Sequence, residues 1–211
     1  VELGSGAKSL SRGDLHVVKK DLPADIEKGT IERAQSGDQR ALGEIYDWYL
    51  PRVYRYVLAR LGDVSEAEDL TEDIFLRMLA AIGDYKRTNV PFSAWLFRIA
   101  HNHVVSHYRR DGFRKDHAEL DETMVDGRHD PASIVESQMV LGEVADAVQK
   151  LPDAQRDVIS LRFAVGLSVA ETAQVLGKRE GNIKALQHKA LARLQRILLE
   201  ESKQSTLEGT V

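Results

Sequence analysis

Gly166–Leu198, GLSVAETAQVLGKREGNIKALQHKALARLQRIL, is the stretch whose reading decides the fold. Ser168 followed by Glu171 is a capping box, in which side chain and backbone at the first helical turn satisfy each other's donors and acceptors. Val169, Thr172, Ala173 and Leu176 then fall at helical spacing, and Gly177 is the stop. A second amphipathic run places Ile183, Leu186, Ala190, Leu194 and Ile197 on one stripe. Two helices joined by a tight Gly-containing turn read as a helix-turn-helix.

The outer face of the second helix points to its chemistry. Gly181, Lys184, Ala185, His188, Lys189 and Ala192 turn away from the apolar stripe. Small residues let the helix axis approach another surface closely, while Lys184, His188 and Lys189 reach base edges or phosphates. Lys178, Arg179, Arg193 and Arg196 add positive charge, opposed only by Glu180. This is the footprint of a helix laid in a DNA major groove. A lone charged helix is more often a solvated face. Here the cap, the turn and the small outward residues all agree with the groove.

Composition bounds the rest. The chain has 211 residues, room for one or two small domains, and a formal net charge of −4. Nucleic-acid binding must therefore come from local patches. The absence of Cys excludes disulfides and thiolate zinc sites. No apolar run approaches a membrane span and no hydrophobic signal region opens the chain, so no membrane insertion is expected and the location expected is cytoplasmic. No cofactor is expected.

The signals along the chain are helical throughout. Residues 1–28 lack a sustained period and read as a flexible N-terminal extension. Thr30 to Ser36 suits a short helix ended by Gly37, and Asp38 can cap the next, over Gln39 to Leu61. That helix is expected to bury Leu42, Ile45, Tyr46, Tyr49, Val53, Tyr54 and Val57, with a kink or break at Pro51. Ser65 with Glu68 reads as another capping box, opening a helix to about Ile82 that buries Leu70, Ile74, Phe75, Met78 and Leu79. The turn-rich loop GDYKRTNVPF leads into a helix from Ser93 to about Arg110. Tyr85, Phe92, Trp95 and Tyr108 are interleaved there with cations, a composition suited to a single strand with unstacked bases; the alternative is that they are core, which fits Trp95 in part. Asp111 to about Ser137 reads as a linker. A second helical block starts near Val135, breaks at Leu151-Pro152-Asp153 and runs into the helix-turn-helix; after about Glu201 a polar frayed tail is expected.

His101, His103 and His107 raise the question of a metal. His103 and His107 are four apart, but no Glu follows His103, so metalloprotease spacing is absent. Histidines with side-chain or backbone partners are the better account.

Several stretches in this order resemble one family, the extracytoplasmic-function sigma factors of bacterial RNA polymerase. They are AEDLTEDIFLRML, then FSAWLFRIAHN with YRR, then LPDAQRDVISLRFAVGLSVAETAQVLG and EGNIKALQHKAL. The resemblance covers about Thr30 to Leu199 and implies an all-α fold of two small helical domains. Sigma region two is placed at 29–112, a linker at 113–134, sigma region four at 135–201 and a tail at 202–211.

The resemblance also implies roles. Asp69, Glu72, Asp73 and Arg77 match the surface that docks on the clamp of the polymerase largest subunit. Lys86, Arg87, Thr88 and Asn89 of the loop, with Arg98, Asn102 and Arg109 of the next helix, match the part that captures the melted minus-ten strand. Lys178, Arg179, Lys184, His188, Lys189 and Arg193 match the unit that reads the minus-thirty-five element. The partners implied are core RNA polymerase, through that clamp and the flap of the second-largest subunit, promoter DNA, and an anti-sigma factor. The chain departs from the family where Lys178-Arg179 stands in place of Ser or Thr, and at His103, where an apolar residue is common. A response regulator ending in the same motif would need a receiver with alternating strands, and residues 1–130 read as helices instead. A metal-dependent helical enzyme would rest on the three histidines alone.

Overall fold

A computed structural model describes residues 24–86, 90–115 and 144–208. Every regular element among them is helical. By compactness the chain divides into residues 1–51 and 52–211.

In the first unit α1 (Ala24–Gln35) is followed by the start of α2 (Gln39–Leu61). The extension expected over 1–28 therefore ends earlier, because Ala24 is already helical; residues 1–23 lie outside the described residues. Gly37, at φ 89°, turns the chain, and Asp38 Oδ1 caps α2 by accepting from the Arg40 backbone N–H at 2.9 Å. Arg33 bridges Asp38 at 3.1 Å and Glu44 at 2.7 Å, tying the two helices by charge. Pro51 stands inside α2, which is assigned as one helix through it.

The second unit carries α3 (Val64–Ala81), α4 (Phe92–Lys115), α5 (residues 144–149), α6 (Asp153–Ile159), α7 (Val169–Leu176) and α8 (Glu180–Glu208). The cap of α3 is Asp63, whose Oδ1 accepts from the Glu66 N–H at 2.8 Å. The Ser65–Glu68 capping box is thus corrected: an acceptor two residues upstream starts the helix earlier and leaves Ser65 within its first turn. α4 extends to Lys115, past the linker start expected at Asp111; residues 116–143 lie outside the described residues. α8 continues to Glu208, replacing the frayed tail expected after Glu201, since ESKQSTLE contains nothing that breaks a helix.

Two apolar clusters hold the C-terminal half together. Val148, Leu151, Ile159 and Ala190, with Leu194, seat α8 on α5 and α6. Val158, Ala173 and Ile183, with Val169, Leu176 and Leu186, close the helix-turn-helix. Past Ile159 the backbone widens into a π-helical turn, Ser160–Val165, ended by Gly166 at φ 89°. Phe163, on the apolar run of this segment, stands 57% exposed there. Tyr46 and Leu79 are likewise 39% and 43% exposed, against the burial expected of them, because each lies at the edge of its apolar stripe.

Candidate nucleic-acid interface

The helix-turn-helix is built as its residues dictate. Ser168 Oγ accepts from the Glu171 N–H at 3.1 Å, and Glu171 Oε2 accepts from the Ser168 N–H at 2.8 Å. Gly177, left-handed at φ 62°, ends α7, and the Lys178 N–H closes back on the Ala173 carbonyl at 2.9 Å. α8 then starts on the backbone alone, with the Arg179 carbonyl accepting from Asn182 and Ile183. Ile183 and Ala190 are fully buried, which turns Lys184, His188, Lys189 and Arg193 outward. Lys178 and Arg179 are exposed at the turn, so all six region-four candidates are solvent-exposed; on α8, Lys184 and His188 share one side, with Lys189 and Arg193 on another.

The face of α4 differs. Of the minus-ten candidates, Lys86 is exposed before the loop, whereas Arg87, Thr88 and Asn89 lie outside the described residues. Asn102 and Arg109 are exposed on α4. Arg98 is already engaged: its Nη2 donates to the Gln174 carbonyl of α7. The aromatic residues are structural. Tyr85 and Phe92 are 7% and 1% exposed, and with half-buried Trp95 they pack ring against ring at 5.1–5.3 Å. Tyr108 donates to the Arg60 carbonyl, and the Arg60 guanidinium lies 5.6 Å from its ring centroid. None of Tyr85, Phe92 and Tyr108 is a free stacking platform.

Arg98 belongs to a polar seam joining α2 and α4 to α6 and α7. Ser93 Oγ donates to Glu171 Oε1 at 2.7 Å, so one carboxylate serves both the capping box and the seam. Burial disfavours the Glu171 charge, yet hydrogen bonds from Ser93 and Ser168 and the charge of Arg52 outweigh it and hold its carboxyl below the usual range. Arg52 donates to the Val165 carbonyl through Nε at 3.3 Å and Nη2 at 3.0 Å, where the π-helical turn ends. Arg60, 2% exposed, pairs with Asp157 at 3.0 Å as an ion pair without hydrogen-bond alignment. His101 Nδ1 lies 3.5 Å from the same carboxylate and 3.2 Å from the Tyr56 hydroxyl. Burial pushes the Tyr56 hydroxyl far up, so it stays neutral. Sequence reading missed Arg52, Arg60 and Asp157, because each finds its partner roughly a hundred residues away.

The histidines are separated in space by their partners. His103 Nε2 meets Asp73 at 3.3 Å and His107 Nε2 meets Glu66 at 3.3 Å. Burial, with the charges of Arg77 and Arg110, pushes His103 below its ordinary value against the opposing pull of Asp73. Among the described residues no three potential ligands gather into a metal site.

On α3 the docking candidates Asp69, Glu72, Asp73 and Arg77 are all exposed. Between them stands Leu76, 63% exposed, with Leu79 one turn on. Sequence reading passed over Leu76, although an apolar residue on the acidic side of a helix is the signal that could have found it.

Two family models match the chain, Sigma-70 region 2 over residues 45–114 and Sigma-70 region 4 over residues 147–196. The sigma factor BldN of Streptomyces coelicolor is 42% identical over 176 residues, covering 82% of this chain, which spans 66% of the length of BldN. The sigma factor SigD of Mycobacterium tuberculosis is 33% identical over 175 residues, 78% of this chain and 80% of its own. Both are described as ECF RNA polymerase sigma factors. Among solved structures, CnrH in complex with the cytosolic domain of CnrY aligns at a TM-score of 0.63 and 27% identity, covering 83% of this chain and 97% of that one.

Proposed function

The chain belongs to the extracytoplasmic-function sigma factors of bacterial RNA polymerase, and on that premise we propose that it binds core polymerase and directs transcription from promoters read at minus-ten and minus-thirty-five elements. It acts as an initiation factor in the bacterial cytoplasm, with no catalytic step of its own. Among the described residues no helix is long and apolar enough to cross a membrane.

The observation that carries this reading is the bare basic edge of the helix-turn-helix. Lys184, His188 and Lys189 project from α8 with Lys178, Arg179 and Arg193 beside them, all exposed in a chain whose net charge is negative. Such an edge donates to base edges and phosphates of the minus-thirty-five duplex. Region two contributes two further surfaces. Asp69, Glu72, Asp73 and Arg77, with Leu76 as an apolar anchor, offer the clamp of the largest subunit a helix with charge at the rim and apolar area at its centre. Lys86 to Asn89, Arg98, Asn102 and Arg109 take the melted minus-ten strand, where stacking lost by a flipped base is offset by contacts to base and backbone. The flap of the second-largest subunit engages region four, and an anti-sigma factor is the regulatory partner; the fold shared with CnrH, solved in complex with the cytosolic domain of CnrY, supports the binding of a protein partner.

Transcription by core polymerase plus the purified chain on a randomised promoter library tests this. Enrichment of transcripts sharing two spaced motifs is the expected result. Transcription no different from core polymerase alone overturns it.

A further inference from the structure

The hydrogen bonds and ion pairs that cross from region two to region four lie along the whole length of the seam. Ser93 of α4 donates to Glu171 of α7 at 2.7 Å, and Arg98 donates to the Gln174 carbonyl on the same helix. Arg52 of α2 donates to the Val165 carbonyl at 3.0 Å, and Gln149 of α5 donates to the Ala59 carbonyl of α2 at 3.0 Å. Asp157 of α6 stands 3.0 Å from Arg60 and 3.5 Å from His101. Two apolar clusters made only of region-four residues hold that region together, so it stays folded when it comes away. The charged and polar groups uncovered by separation all take up water, and contacts of this kind between parts of one chain open and close.

The seam also fixes a distance. Arg98 touches Gln174, and the chain from Gln174 to Lys184 spans at most about 36 Å, at about 3.6 Å per extended residue. Most of that stretch belongs to α7 and α8, and a helix advances only about 1.5 Å per residue. A minus-ten and a minus-thirty-five element are about 25 base pairs apart by their names, about 85 Å at about 3.4 Å per pair. A duplex that short is stiff against a persistence length of about 150 base pairs. The closed chain cannot lay Arg98 on one element and Lys184 on the other. An open chain has the reach, since residues 116–143 extend to about 95 Å at about 3.4 Å per residue.

Resting on the sigma-factor reading, we propose that the seam is an autoinhibitory contact: the free chain rests closed with α7 seated on the Ser93–Arg98 end of α4, and region four leaves region two before both promoter elements are occupied. Glu171 is the latch. One carboxylate oxygen accepts from the Ser168 N–H in the capping box and the other accepts from Ser93, so the group that starts the helix-turn-helix also fastens it to region two. The closed population lowers the apparent affinity of the chain for its promoter complex by the fraction of molecules that are open.

The test uses the full chain. Ser93→Asp sets a second carboxylate against Glu171 and leaves every proposed docking and DNA-binding residue in place; an acid is favoured in the first turn of α4. The chain has no Cys, so Asp84→Cys and Gln195→Cys carry one pair of spin labels at exposed positions of the two regions. The free chain is expected to give a single narrow distance distribution that moves out by tens of ångströms with core polymerase and promoter duplex. Ser93→Asp is expected to lengthen the distance in the free chain. It should also lower the chain concentration needed for half-maximal promoter complex by about tenfold, as for a competent state raised from a tenth of the population to nearly all of it. Gln149→Ala, which removes the bond to the Ala59 carbonyl, is expected to act the same way by about fivefold and carries the affinity test if Ser93→Asp unfolds. A distance unchanged in the promoter complex, a broad distribution in the free chain, or an opened variant that gains no affinity overturns the proposal. Absence of any complex with core polymerase overturns the sigma-factor reading instead, and the free-chain distances still report whether the seam is closed.

Discussion

The two surfaces assigned to DNA are prepared in opposite ways. On α8 the side chains proposed to face a groove are exposed, and what fixes them is local: a capping box, a left-handed glycine and an apolar stripe through Ile183 and Ala190. On α4 the first cation of the face proposed to bind the strand, Arg98, is held by the Gln174 carbonyl of α7. On the proposed reading, one surface is ready as folded, and the other must give up an internal contact before it can bind. Helical periodicity tells which way a side chain points, and a distant backbone carbonyl decides whether it is free.

The largest effect that can break this contrast lies at Asp157. Asp157→Ala leaves the Arg60 charge, 2% exposed, without its counter-ion, and should destabilise the fold by about 3–5 kcal/mol in urea unfolding. Joint replacement by Arg60→Met and Asp157→Leu should recover most of that loss, since two buried charges then vanish together. If Asp157→Ala unfolds at the wild-type midpoint, the Arg60–Asp157 pair between α2 and α6 contributes nothing to stability.

A middling effect sharpens the other side of the contrast. Lys184→Ala and His188→Ala remove single contacts from a surface already exposed, so each should weaken promoter affinity by about 1–3 kcal/mol with core binding and thermal stability unchanged. Binding measured by anisotropy on duplex promoter DNA would show it. Equal affinity and equal sequence preference in both variants would move the reading surface elsewhere.

The smallest effect is a pH dependence at the seam. Glu171 has its carboxyl held below the ordinary 4.5, so the unfolded chain takes up its proton first on acidification. The stabilisation from ionised Glu171 is complete above that ordinary value and is lost as pH falls through the lower folded one. The urea midpoints of wild type and Glu171→Gln should therefore draw together on acidification below 4.5. A gap that stays constant with pH would mean that the Ser93 and Ser168 contacts recognise shape and not charge.

Legibility followed the range of the interactions. The α2 span, the α7 cap, the Gly177 stop and the outward face of α8 were readable because each depends on residues within a few positions of one another. The cap of α3 was misplaced by two residues, since Asp63 and Ser65 are both competent acceptors and sequence does not rank them. Tyr85 and Phe92 looked available to bases; their packing on each other and on Trp95 put them inside.

Local order along the chain therefore determined the helical class, the two sigma regions and the basic edge of the helix-turn-helix. The tertiary structure alone decided that Arg98 is engaged, that Arg60 meets Asp157, and that Arg77 shares a cleft with Arg109 and Arg110. The reason is physical. A cap or a stripe is settled within one or two helical turns, whereas a guanidinium chooses among all the oxygens that folding brings within reach, and that choice has no period to be read.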